Sequence, residues 1–134
     1  MHDWIAPYAA TVWAMGMTGA LILLQLVVLD VAGIRTGHVP GSTVTADHGN
    51  FLFRATRAHA NINESIAAFI LLALFGVLSG ASPWWMNTLA WVYLVARVAH
   101  MLCYYAGAQI PRSISFGISM TALVGMLIVG VVEA

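Results

Sequence analysis

Four apolar stretches, at about residues 8–33, 54–79, 84–107 and 113–132, take up most of the chain. Each is near the ~20 residues that a helix needs to cross the hydrocarbon core of a bilayer. The connections at 80–83 and 108–111 are short, and short connections favour antiparallel neighbours. The expectation is an all-α integral membrane protein: one domain over residues 1–134, folded as an up-and-down bundle of four transmembrane helices. Composition agrees, because only 7% of residues are charged against roughly 25% in an ordinary soluble domain.

Arginine placement sets an orientation. Arg35, Arg54 and Arg57 flank the first loop and Arg112 follows the third, whereas the second loop and both termini carry none. The positive-inside rule then puts loops one and three in the cytoplasm and both termini on the outer side. Trp4, Tyr8, Trp84 and Trp85 fall at the expected outer boundary, where amphipathic rings gather. The start of the chain lacks the basic region of a secretory signal, so the first stretch is read as a retained spanning helix. Small residues, as in Gly16, Gly19, Ala67, Ala68 and Gly117, suggest sites of close helix approach.

The sequence 54–64 breaks the apolar pattern. On a helix Arg54, Arg57, Asn61 and Glu64 are spaced by three, four and three residues and share one face, while Ala55, Ala58, Ile62 and Ser65 turn elsewhere. A second ladder follows in the third stretch, where Arg97, His100 and Tyr104 are again three and four apart. Ionisable groups at bilayer depth are costly unless paired or hydrated, so they face a bundle interior or a wet cavity. On this reading Glu64 is ionised and held by Arg57 or Arg97. Pro111, read as the residue that sets the start of helix four, places Arg112 and Ser113 beside the open amides of a first turn, an arrangement that attracts an anion.

These charges describe a ligand. Arginines on helices two, three and four bind carboxylates bidentately, and Glu64 with the asparagines suits an ammonium or amides. A small zwitterionic peptide with several carboxylates fits. The lysine-free, formally neutral chain has no basic run for a phosphate backbone, which argues against nucleic acid. Its single Cys103 argues against a disulfide framework or a thiolate metal cluster and reads as a small core residue. His59 and His100, on different helices, complete no metal-ligand spacing. Two other classes stay open from the residues alone: a scaffold subunit whose polar ladders hold helices together, and a small proton or ion conductor.

The motif Arg57-Ala58-His59-x-Asn61-x-x-Glu64, with Arg97-Val98-Ala99-His100-x-x-x-Tyr104 and Pro111-Arg112-Ser113, resembles the MAPEG family, the membrane-associated proteins of eicosanoid and glutathione metabolism. The resemblance implies a homotrimer with glutathione bound between subunits near the cytoplasmic side. It implies glutathione contacts at Arg57, Asn61, Glu64, Arg97, His100 and Tyr104, thiolate stabilisation at Arg112 with Ser113 assisting, and a looser match of Arg35 to an arginine that reaches a neighbour. The implied activity is conjugation of the glutathione thiol to a hydrophobic electrophile, or reduction of a lipid hydroperoxide; the alternative is a non-catalytic lipid-binding member of the same fold. Ala60 and Phe116 depart from prostaglandin E synthase, which has an arginine and a tyrosine there. The short loops resemble the bacterial branch, which implies a bacterial inner membrane.

Overall fold

The computed structural model describes residues 3–133. A 3-10 turn, Ala6–Tyr8, leads into α1 (Ala9–Thr36), followed by α2 (Phe51–Ser79), α3 (Pro83–Ala106) and α4 (Gln109–Val132). All four are long and apolar enough to cross a membrane. Alternating direction puts the 37–50 loop and the α3–α4 connection at one end of the bundle. Residues 80–82 and the termini lie at the other.

The first three helices end on one device. Gly37, Gly80 and Gly107 each adopt the left-handed region, at φ of 66°, 75° and 73°, where a Cβ would be strained. The next residue donates its amide back into the last turn: His38 to the Gly33 carbonyl at 3.0 Å, Ala81 to Gly76 at 3.0 Å, and Ala108 to Cys103 at 2.8 Å. This closure satisfies carbonyls that a helix end leaves open. The α3–α4 connection is therefore only Gly107 and Ala108, and α4 starts at Gln109 rather than the expected 113. Pro111 is tolerated inside the first turn because that turn needs no amide from it. α2 likewise starts at Phe51, three residues earlier than expected, where the Asn50 side chain accepts the Leu52 amide at 2.9 Å.

α2 and α3 form the centre. α1 and α4 flank them, each packed on both. Ala55, Ala58, Ile62, Ser65, Phe69 and Ala73 of α2 are buried against Ala90, Tyr93, Leu94 and Arg97 of α3, with Phe69 and Tyr93 rings stacked at 4.3 Å. Leu, Val and Ile side chains cover the outside, as a lipid solvent requires. Helices come closest at Gly76 and Gly130. A Cβ on Gly76 would lie 2.3 Å from Met86 Cε, and one on Gly130 would lie 2.7 Å from the Phe75 ring. The expected contacts at Gly16, Gly19 and Gly117 are not used within the protomer, where these positions are open.

The terminal end is fastened by side chains. Asn87 accepts from the Thr11 amide and hydroxyl, at 2.9 and 2.8 Å, and donates to the Pro7 carbonyl at 2.9 Å. Trp91 donates to Ala10 at 3.0 Å, and Glu133 accepts from the Ser82 amide. Tyr8 stands at the same end as Trp84 and Trp85, as expected, but it is buried, and its hydroxyl donates to the Ala81 carbonyl at 2.6 Å. Trp4, Trp84 and Trp85 are exposed. Cys103 is half-buried rather than a core residue.

Candidate functional site

The two ladders meet across the α2–α3 seam. Asn61, on the α2 stripe, accepts at Oδ1 from Arg97 Nη2 at 2.9 Å. One turn further along both helices, Ser65 and Tyr93 share a hydroxyl–hydroxyl bond of 2.8 Å. Antiparallel helices pair residues whose numbers have a constant sum, and both rungs obey it. The register that brings Arg97 to Asn61 is therefore the one that brings Tyr93 to Ser65. Sequence reasoning missed this second rung, although Tyr93 stands one turn before Arg97 on the same face and Ser65 one turn after Asn61.

Arg97 is 1% exposed. Its Nε and Nη1 are buried without a hydrogen-bond partner among the described residues. A buried guanidinium with open donors is costly and points to an acceptor that the described residues do not supply. Asn61 Nδ2 also reaches Glu64 Oε2, at 3.4 Å. The structure thus corrects the expected ion pair: Asn61 stands between Glu64 and Arg97. Arg57 is two turns away on the same helix, about 10 Å, and both Arg57 and Glu64 are exposed on the protomer.

Beside Asn61 lies a polar cleft of about 200 Å³ lined by Asn61, His100, Tyr104, Arg112, Ser113 and Phe116. Five of the nine residues singled out from the sequence therefore share one wall, with Arg97 directly behind it. Tyr104 is its centre. The His100 ring meets it edge-on at 5.0 Å, and the Arg112 guanidinium sits over its face, 4.6 Å from the centroid, a cation–π contact that fixes where the charge points. Phe116 closes the cleft, 6.0 Å from His100. The placement of Arg112 also differs from expectation. It is the fourth residue of α4, so its own amide lies inside the helix and the open amides are those of Gln109 and Ile110. Ser113 turns its hydroxyl to the Gln109 carbonyl at 3.3 Å.

Three residues of the expected set are not brought to the cleft. Arg57 and Glu64 flank it on the outer surface of α2, and Arg35 lies by a separate hollow between the last turns of α1 and the start of α2. Arg54, the first member of the α2 stripe, is a structural clamp: it donates to the carbonyls of His48 (2.7 Å), Gly49 (3.0 Å) and Tyr105 (3.3 Å). Asn63 bonds back to His59, donating to its carbonyl at 2.8 Å. The cleft, at about 200 Å³, is smaller than the ~300–1,000 Å³ of ordinary ligand sites.

A family model described as the MAPEG family matches residues 11–132 of the chain. No curated protein matches it.

Proposed function

The chain belongs to the MAPEG family, and on that premise we propose that it is a glutathione-dependent membrane enzyme that directs the glutathione thiol at a hydrophobic electrophile or lipid hydroperoxide arriving from the bilayer. The observation that carries this reading is the convergence on one cleft of Asn61, His100, Tyr104, Arg112 and Ser113, backed by the open donors of Arg97. Those donors and the Arg112 charge fit a small ligand with several anionic groups. In this proposal Arg57 and Arg97 hold its carboxylates, Glu64 its ammonium, and Asn61, His100 and Tyr104 its amide and carboxylate edges.

Glutathione would supply the nucleophilic sulfur. A free thiol has a pKa of about 8.5, and a nearby cation favours the thiolate, which is the reactive form. Arg112, held over Tyr104, provides that cation, with the Ser113 hydroxyl beside it. Phe116 contributes a ring where a hydroxyl would give a further hydrogen bond, so the charge of Arg112 carries more of the stabilisation. α3 and α4 both reach the lipid with apolar side chains, so a hydrophobic partner can approach the cleft without leaving the membrane.

The working unit in this proposal is a homotrimer. Arg57 and Glu64 are exposed on a spanning helix, where hydrocarbon cannot solvate them, and a neighbouring protomer would cover them and enlarge the cleft. Arg35 is the residue we assign to reach a neighbour. The orientation that follows from the arginines puts the cleft on the cytoplasmic side of a bacterial inner membrane, where glutathione is available.

Calorimetric titration of the detergent-purified protein with glutathione tests the reading. Saturable binding, competed by S-hexylglutathione, is expected. A protein that is trimeric and folded but takes up no glutathione would overturn it.

A further inference from the structure

The polar surface of the protomer has a second side. Asp30, in the last two turns of α1, is exposed within a spanning helix and lines a cavity of about 550 Å³ between α1, the 37–50 loop and the start of α2. Thr56 lines the same cavity, and Arg57 is the next residue of α2. Asp30 and Arg57 therefore stand at one level of the bundle, while the turn of about 100° from Thr56 to Arg57 points them to different faces. One face, on the α1 side of α2, carries a carboxylate beside a roomy hollow. The other carries the exposed Arg57 guanidinium, one turn of α2 before Asn61 of the polar cleft. No ion pair forms at either residue among the described residues.

We infer that Asp30 of one copy receives the partner's Arg57, so that the α1–α2 face of each protomer closes the cleft face of the next. The two faces differ and both charges lie at the same depth. The contact is therefore head-to-tail, and a head-to-tail contact that closes makes a ring. The hollow gives a long arginine side chain room to enter. A guanidinium is a planar fork with two usable edges. With one edge held by Asp30, the other stays aimed at a ligand carboxylate, so Asp30 is a positioning residue that each site borrows from its neighbour. The inference rests on the reading of the chain as a ring-forming assembly, and it adds which faces meet and through which pair.

The test uses the full chain in a Cys103→Ala background. Two differently tagged chains, one Asp30→Cys and one Arg57→Cys, are co-expressed and treated in the membrane with a short bis-maleimide, which spans the reach of an arginine side chain where a disulfide would not. A cross-linked dimer carrying both tags is expected, and neither chain expressed alone should cross-link. Charge reversal gives the second arm: Asp30→Arg and Arg57→Asp should each lose the trimer in native mass spectrometry, and the doubly reversed chain should regain it. A persistent trimer with no mixed-tag dimer, or equal cross-linking of either chain alone, would overturn the pairing, as would a protein that is only monomeric. Neither arm needs glutathione. A mixed-tag dimer from a protein that binds no glutathione would leave the interface standing and remove only the binding reading.

Discussion

Asn61 holds Arg97 with its side-chain oxygen, at 2.9 Å, and faces Glu64 with its amide. One neutral side chain thus separates two opposite charges that would otherwise collapse onto each other, and it leaves two donors of the guanidinium open. A direct ion pair would consume the same groups that the proposed ligand needs. The wall of the cleft stays available because asparagine can accept and donate at once.

Asn61→Ala removes the acceptor of a buried charged donor. Such a loss costs about 1.5–3 kcal/mol, and the expected outcome is a lower thermal midpoint in detergent together with at least a tenfold weaker glutathione affinity. Thermal unfolding and calorimetric titration of the same preparation check both effects. Unchanged affinity would take Asn61 out of the site.

Ser65 and Tyr93 form a buried rung whose hydroxyls, among the described residues, are partners only to each other and to the Ile62 carbonyl. Removing Ser65 leaves the Tyr93 hydroxyl without a partner, while removing the Tyr93 hydroxyl leaves Ser65 only its bond to Ile62, so Ser65→Ala and Tyr93→Phe should each destabilise by about 1 kcal/mol. The double variant should cost little more than either single one. A double-mutant cycle by reversible unfolding measures the coupling, and strictly additive effects would contradict the rung.

Arg112 is held over the Tyr104 ring and is the charge proposed to favour the thiolate. Arg112→Ala should keep much of the glutathione affinity and lower turnover about 100-fold, equivalent to ~2.7 kcal/mol. Ultraviolet thiolate absorbance of bound glutathione against pH, with turnover of a hydrophobic electrophile in parallel, separates binding from chemistry. The thiolate signal should rise at higher pH in the variant, because the thiol loses the cation that lowers its pKa. An undiminished signal and rate would remove Arg112 from the mechanism.

Phe116 lines the cleft without a polar atom. Phe116→Tyr adds a donor at this wall, and a neutral hydrogen bond to a charged acceptor contributes about 1.5 kcal/mol. Turnover should rise roughly tenfold, with the thiolate signal appearing at lower pH. If both stay where they are, the ring does not face the sulfur.

Much of the architecture was legible because membrane solvent leaves few choices. Runs of about 20 apolar residues became helices, and the two polar ladders announced themselves through three- and four-residue spacing. Helix ends were harder: Pro111 read as a boundary but sits within α4, since an amide missing from a first turn costs nothing there. Tyr8 read as an exposed interfacial ring and became an internal clamp, because the α2–α3 connection presents the Ala81 carbonyl to its hydroxyl.

By itself the sequence determined which residues are polar within spanning helices, and hence that Asn61, Arg97, His100, Tyr104 and Arg112 needed partners. Only the tertiary structure decided who those partners are. A helix records its own face at every fourth residue, but the register of one helix against another is set by packing of Ala55, Ala58, Phe69 and Tyr93 across the seam. That register put Asn61 between Glu64 and Arg97, added the unsuspected rung of Ser65 and Tyr93, and turned Arg54 from a member of the stripe into a clamp on the loop. It also left Arg57 and Glu64 on the outer surface, since α2 cannot turn one face inward toward α3 and a face 100° or more away inward at the same time.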